Sequence, residues 1–115
     1  MNREYHLFLK DIVESILSIE KFMEGLSFQE FAKDDKTSAA VVHKIEIIGE
    51  ASKNIPLNIR KKYNDIPWND MAKMRDKVTH AYFVVDYEIV WKTVRERFPE
   101  IRERIGKAIE EERLK

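Results

Sequence analysis

The segment Arg75-Asp76-Lys77-Val78-Thr79-His80-Ala81-Tyr82 gathers the groups in this chain that are best suited to chemistry on a phosphodiester. Lys73, Arg75 and Lys77 supply cations, His80 a group able to exchange a proton near neutral pH, and Tyr82 a phenol. A histidine can take the proton from a ribose 2′-hydroxyl or return one to the leaving oxygen. A fixed guanidinium can clamp phosphate oxygens in pairs and stabilise the charge that grows in the transition state, a task for which arginine is better shaped than lysine. The same residue types also describe the wet face of an ordinary helix, and spacing alone favours that reading. Tyr82 falls on the stripe of Met71, Met74 and Val78, which is core spacing.

Other chemistries find little to work with. His6 and His43 sit in amphipathic stretches with no catalytic partner nearby in sequence, so each reads as a surface or packing residue. No two histidines have the spacing of metal ligands, and a His-Glu-x-x-His run, a glycine-rich phosphate loop and a Gly-x-Ser-x-Gly elbow are all absent. With no cysteine there is no disulfide framework, thiolate site or thiol nucleophile. Metal hydrolysis and acyl transfer gain no support, and no cofactor or metal is expected. Glu46 and Glu50, four apart around Gly49, are able to line a cleft, but carboxylates on a solvated helix face are commoner and neither is taken as a site.

The elements that must position these groups read as helices. Tyr5, Phe8, Ile12, Ile16, Ile19 and Met23 recur in steps of three or four, predicting a long first helix that stops at Gly25. Ser27-Phe28-Gln29-Glu30 fits a capping box before a short helical turn through about Ala32. The polar run 33–36 reads as a loop, with Thr37 capping a second long helix whose stripe is Val41, Ile45, Ile48 and Ala51. Gly49 inside that helix costs about 1 kcal/mol relative to alanine, which a close helix–helix approach would explain. A short helix is expected from Pro56 to about Tyr63. Pro67 suits the first turn of a third main helix carrying the 75–82 segment. Asp86 should cap a last helix with Ile89, Val90, Val94 and Phe98 inward, interrupted at Pro99 and resumed through Ile101, Ile105 and Ile109. The charged tail from Glu110 to Lys115 is expected to fray. The fold class is therefore all-α: one domain over residues 1–115, an antiparallel bundle of four to five helices.

Helix geometry complicates the chemistry. At about 100° per residue, Arg75 and His80 would point about 140° apart on one straight helix. Either the helix distorts near His80, or two copies face each other across a two-fold axis and share a cleft. The second option, a homodimer, is preferred.

Length and charge bound the rest. The 115 residues are 43% hydrophobic and 37% charged, with three glycines and three prolines, a globular composition that argues against a turn-rich β architecture. Twenty-one basic and twenty-one acidic residues cancel, so any RNA contact must rest on a local patch. No apolar run approaches the roughly 20 residues of a membrane span and no signal-peptide pattern opens the chain, so a cytoplasmic location away from membranes is expected.

Residues 75–82 resemble the R-x4-H-x-Y motif of HepT-like toxins, a branch of the HEPN superfamily. Gly25-Leu26-Ser27-Phe28, the stretch from Ile45 to Ala51, Ile66-Pro67-Trp68 and Tyr82-Phe83-Val84-Val85-Asp86 resemble the same family in the same order, over roughly residues 5–105. The resemblance implies a HEPN-like helical dimer with the two motifs in a shared cleft. It implies a toxin of a toxin–antitoxin pair, a metal-independent endoribonuclease acting on RNA with Arg75 and His80 as its catalytic pair. Asp76 stands where the family often has Asn, and is expected in a supporting role, holding Arg75 or orienting His80. The implied partner is a MntA-type nucleotidyltransferase antitoxin that attaches AMP to Tyr82, setting phosphates where an RNA phosphate must lie. The alternative is a non-catalytic nucleotide-binding subunit of a nucleotidyltransferase.

Overall fold

Five of the six stripe residues of the first helix are buried, as their spacing requires: Tyr5, Ile12, Ile16, Ile19 and Met23 face inward from α1 (Arg3–Met23), with Phe8 partly covered. The computed structural model describes residues 3–81 and 84–114. Gly25 ends α1 with φ +78°, a conformation glycine reaches without a Cβ penalty. Ser27 and Glu30 then form both halves of the capping box: Glu30 N–H donates to the Ser27 hydroxyl and Ser27 N–H to the Glu30 carboxylate, opening α2 (Phe28–Ala32). Helix α3 (Asp35–Lys53) follows after only two residues, Lys33 and Asp34, because Asp34 and not Thr37 is its cap. Thr37 donates both its N–H and its hydroxyl to the Asp34 carboxylate, at 2.9 and 2.7 Å, so the expected loop 33–36 shrinks and the helix starts two residues earlier than Thr37.

Helix α3 packs on α1 along Val41, Ile45 and Ile48, and on its other side receives α5 (Trp68–Ala72), which is reached through α4 (Leu57–Lys62). Gly49 marks that second crossing. A Cβ built there would lie 3.3 Å from the Ala72 carbonyl oxygen and 3.5 Å from that of Met71, so the glycine permits backbone-to-side-chain-free approach. The expected reason for a mid-helix glycine is the observed one.

The third main helix does not run to Tyr82. It breaks at Lys73, resumes as α6 (Met74–Val78) and stops. Thr79 is extended (φ −132°, ψ 147°), and a two-stranded antiparallel ribbon pairs β1 (Thr79–His80) with β2 (Val84–Val85) in the register Thr79 to Val85 and His80 to Val84. Thr79, Val84 and Val85 are β-branched, and their preference for extended backbone wins once α6 has buried Met74 and Val78. Tyr82 lies outside the described residues.

Asp86 caps α7 (Tyr87–Lys92), accepting from Ile89 N–H. Val90, Val94 and Phe98 are buried as expected, but Ile89 is exposed. Between α7 and α8 (Phe98–Arg113) the backbone widens into a π-helical turn, Thr93–Arg97, in which Phe98 N–H donates five residues back to Thr93. Pro99 supplies the cause, since it brings no N–H and its ring needs room beside the carbonyl four residues earlier. The axis is thus locally unwound there and the helix continues.

The charged tail is helical to Arg113, which corrects the expected fraying from Glu110. Its anchor is Glu112, buried at 3% exposure. Tyr5 donates its hydroxyl to one carboxylate oxygen of Glu112 at 2.8 Å, while Lys62 (2.8 Å) and Tyr63 donate to the other. The start of α1, the end of α4 and the end of α8 therefore meet on one carboxylate. A second pair, Arg102 with Glu20 at 2.9 Å, repeats the contact farther along, so α1 and α8 run antiparallel. The Lys62 and tyrosine hydrogen bonds hold the Glu112 carboxyl down at about 2, and burial beside that carboxylate pushes the Tyr5 phenol up to about 12. Among the described residues no helix is long and apolar enough to cross a membrane.

Two outcomes test this packing. Glu112→Ala is expected to cost about 2–3 kcal/mol in denaturant melts near neutral pH, since three donors lose a charged acceptor. The folded carboxyl titrates below its unfolded value, so this stabilisation is present above the ordinary carboxylate range and fades as pH falls toward 2. The gap between wild type and Glu112→Ala should therefore narrow in acid, and a constant gap refutes the assignment. At Gly49, alanine gains about 1 kcal/mol of helix propensity against a tight contact and should shift the midpoint little. Gly49→Val has no room and should destabilise by about 1–3 kcal/mol; equal midpoints for the two variants would remove the close-approach argument.

Candidate functional site

The break in the motif helix decides how its residues are displayed. In α6 the buried face is Met74 and Val78, which leaves Arg75 at the edge of that face, half-buried, and Asp76 and Lys77 in solvent. Arg75 points at α3. Its Nε donates to Glu46 Oε1 at 3.0 Å, an ion pair whose two side chains are 38% and 42% exposed. Asp76 Oδ1 lies 3.9 Å from Arg75 Nη1, so the supporting acid expected there is beside the guanidinium, while its own side chain is 81% exposed. Lys77 leans on Asp70 at 3.7 Å, and Arg97 reaches the same carboxylate.

His80 is carried by the ribbon and not by the helix. Successive strand residues face opposite sides. Thr79 turns inward and is buried, and its hydroxyl donates to the Arg75 carbonyl oxygen at 2.9 Å; His80 turns out and is exposed. The 140° divergence assumed a straight helix through both residues and does not apply. The helix is distorted before His80, so the divergence gives no support to a shared site. Ala81, directly after His80, has φ +35°, a left-handed conformation that costs a residue with a Cβ about 1–2 kcal/mol. Asp86 N–H to the Val78 carbonyl at 2.7 Å and Val84 N–H to Ala81 at 3.2 Å help hold the ribbon in that form.

Around Glu46 the surface is recessed on three sides. One cleft, of about 420 Å³, is lined by Arg75, Asp76, Gly49, Glu50 and Lys53 with Glu46 itself. A second, of about 520 Å³, opens between α3 and the ribbon past His43, Thr79, Val84 and Tyr87. A third, of about 440 Å³, lies toward α1 at Phe8 and Asp11. Glu46 borders all three. His80 is not among the described residues lining them, so the structure brings Arg75, Asp76 and Glu46 together and links His80 to Arg75 through the backbone by way of Thr79. Among the described residues no group of three or more His, Asp or Glu side chains is arranged to hold a metal ion.

Reading by residue type set Glu46 aside as a solvated carboxylate and missed its contact. A signal was available: Glu46 stands three residues before Gly49 on α3, hence on the face where that glycine announces a close neighbour. His43, also set aside, is exposed as expected but borders two of the clefts. His6 stacks on the Tyr5 ring, with centroids 4.5 Å apart, a packing role.

Known proteins are similar to this chain over most of its length. The chain is 47% identical over 107 residues to "Probable ribonuclease HepT" of Thermococcus cleftensis, covering 93% of this chain and 97% of that protein. It is 43% identical over 97 residues to a protein of Methanocaldococcus jannaschii named as a candidate RNase, covering 84% and 80%. It is 37% identical over 106 residues to one so named from Caldanaerobacter subterraneus subsp. tengcongensis, covering 92% and 95%. No solved structure matches it. The model of the "Ribonuclease HepT-like" family matches residues 12–108, from the third turn of α1 into α8 and through the whole of the site just described, and the chain belongs to that family.

Proposed function

We propose that this chain is a metal-independent endoribonuclease, the toxic member of a toxin–antitoxin pair, with Arg75 and His80 as its catalytic residues. The observation that carries the reading is the end of α6 at Val78. The Thr79 hydroxyl on the Arg75 carbonyl ties the ribbon to the helix turn that holds the guanidinium, and the next residue, His80, turns to solvent. Family membership, with relatives named as ribonucleases, supports RNA as the substrate.

In this reading Arg75 binds the scissile phosphate and stabilises its additional negative charge. His80 takes the 2′-hydroxyl proton as the O2′–P bond forms. The P–O5′ bond breaks, O5′ takes a proton from an imidazolium, and the products are a 2′,3′-cyclic phosphate and a 5′-hydroxyl. A homodimer with two motifs in one cleft would offer a second His80 for the second proton. Its support is the family resemblance. Asp76, beside the guanidinium, helps keep Arg75 in place.

Purified protein is expected to cut RNA in excess EDTA, and Arg75→Ala or His80→Ala should each abolish cutting without moving the melting temperature. Cleavage that needs added metal, or that survives both substitutions, overturns the proposal. Tight binding of a nucleotidyltransferase or nucleotide with no cleavage selects the non-catalytic subunit instead. If the site is shared between copies, mixed dimers of Arg75→Ala and His80→Ala protomers should recover activity; if each copy holds a complete site they should stay dead.

The proposed off-switch is Tyr82, modified with AMP by a MntA-type nucleotidyltransferase antitoxin. The phenol of Tyr63 is engaged by Glu111 and Glu112, and the Tyr87 ring meets Phe31 edge-on at 5.5 Å, so neither is an obvious substitute. Incubation with the transferase and ATP should add AMP mass to wild type and none to Tyr82→Phe. Addition mapped to Tyr63 or Tyr87 would refute the assignment.

A further inference from the structure

From its contact with Arg75 we infer that Glu46 is the positioning residue for that arginine, setting the plane of the guanidinium and tempering its charge toward phosphate. The inference rests on the reading of Arg75 as catalytic. A guanidinium offers five N–H donors in a rigid fork, and which of them is engaged decides how the fork faces. Glu46 takes the Nε donor at 3.0 Å. A contact at Nε resists rotation about the final side-chain bonds, so it constrains the plane in which the terminal nitrogens meet a bidentate phosphate.

Glu46 is well placed for that task. It stands in the middle of the 19-residue helix α3, three residues before the crossing where Gly49 meets the Ala72 carbonyl. Both ends of the contact are therefore on elements whose separation is set by close backbone packing, the arrangement a positioned side chain requires. At 38% and 42% exposure the pair contributes little to folding stability, so a purely structural role is a weak account of it. Its charge has a direct consequence: Glu46 and Glu50 border the cleft that Arg75 enters, and a carboxylate next to the guanidinium opposes an incoming phosphate. Orientation is gained at some loss of substrate affinity.

Three variants in steady-state cleavage over a range of RNA concentrations, with EDTA present, separate these effects. Glu46→Ala is expected to lose about 10- to 100-fold in kcat, the scale of a small misplacement of a reacting group, with the melting temperature unchanged. Glu46→Gln keeps an acceptor for Nε and drops the charge, so it should recover most of the lost kcat and lower KM several-fold. Arg75→Ala sets the floor. In parallel, the Arg75 Nε–H resonance by NMR should persist in wild type and Glu46→Gln and broaden by solvent exchange in Glu46→Ala. If Arg75→Ala abolishes cleavage while Glu46→Ala matches wild type in kcat and in the Nε–H signal, the inference is wrong. If Arg75→Ala cleaves normally, the catalytic reading fails instead, and the resonance still reports whether Glu46 holds the arginine.

Discussion

The missing Cβ of Gly49 governs how near α5 and α6 lie to α3. An ordinary side chain there would press on the Ala72 carbonyl, and the backbone of the motif helix would have to move outward by some tenths of an ångström. Arg75 begins three residues after Ala72, so its reach to Glu46 depends on that spacing, as does the width of the cleft between them. The helix penalty of about 1 kcal/mol for glycine is the cost of this geometry. Burial of Met71, Met74 and Val78 against the core offsets it, at roughly 1.5–3 kcal/mol for each large apolar side chain fully buried.

Beyond Val78 two local preferences compete, and magnitudes explain the outcome. Continuing the helix would gain one backbone hydrogen bond per residue, but β-branched and aromatic side chains lower helix propensity by several tenths of a kcal/mol each. The ribbon offers comparable hydrogen bonds, including Asp86 N–H to Val78 at 2.7 Å, and adds the Thr79 hydroxyl as a second donor to the Arg75 carbonyl, which also accepts the Thr79 N–H. Against this stands the left-handed Ala81. Two or three net hydrogen bonds at about 1 kcal/mol each are enough to carry one such residue. The strained residue directly follows His80, in keeping with the tendency of backbone strain to sit where a side chain must be displayed.

Much of the fold was legible in the chain because helical periodicity and caps are local signals. The α1 stripe, the Gly25 stop, the Ser27–Glu30 box, the Asp86 cap and the meaning of Gly49 all follow from residues within a few positions of each other. What escaped the reading depended on alternatives or on distant partners. Asp34 competes with Thr37 for the α3 cap and wins because it accepts from Thr37 twice, whereas Thr37 as cap would leave the carboxylate unused. The tail from Glu110 looks like a fraying charged end until Tyr5, more than a hundred residues away, is seen to share Glu112 with Lys62 and Tyr63. At the site, residue types drew attention to Arg75 and His80 and the family resemblance to Asp76, but Glu46 required knowing which helix the arginine crosses.

The carboxylates Glu112 and Glu46 show how burial separates an ion pair that holds elements together from one that orients a single side chain. Glu112 has little contact with water, accepts from three donors on α1 and at the end of α4, and loses its value only when protonated. Removing any partner leaves a buried charge poorly compensated, a large effect on folding and none on chemistry at a distance. Glu46 and Arg75 are both about two-fifths exposed, so screening reduces their attraction to at most about 1 kcal/mol of stability. A pair that contributes so little to folding still restricts where a guanidinium points, and orientation is the property that phosphate binding by arginine demands. With 21 basic and 21 acidic residues the chain has no net charge to draw RNA in, so affinity and alignment must come from such local arrangements. The half-exposed pair keeps Arg75 reachable from solvent, which a fully buried one could not.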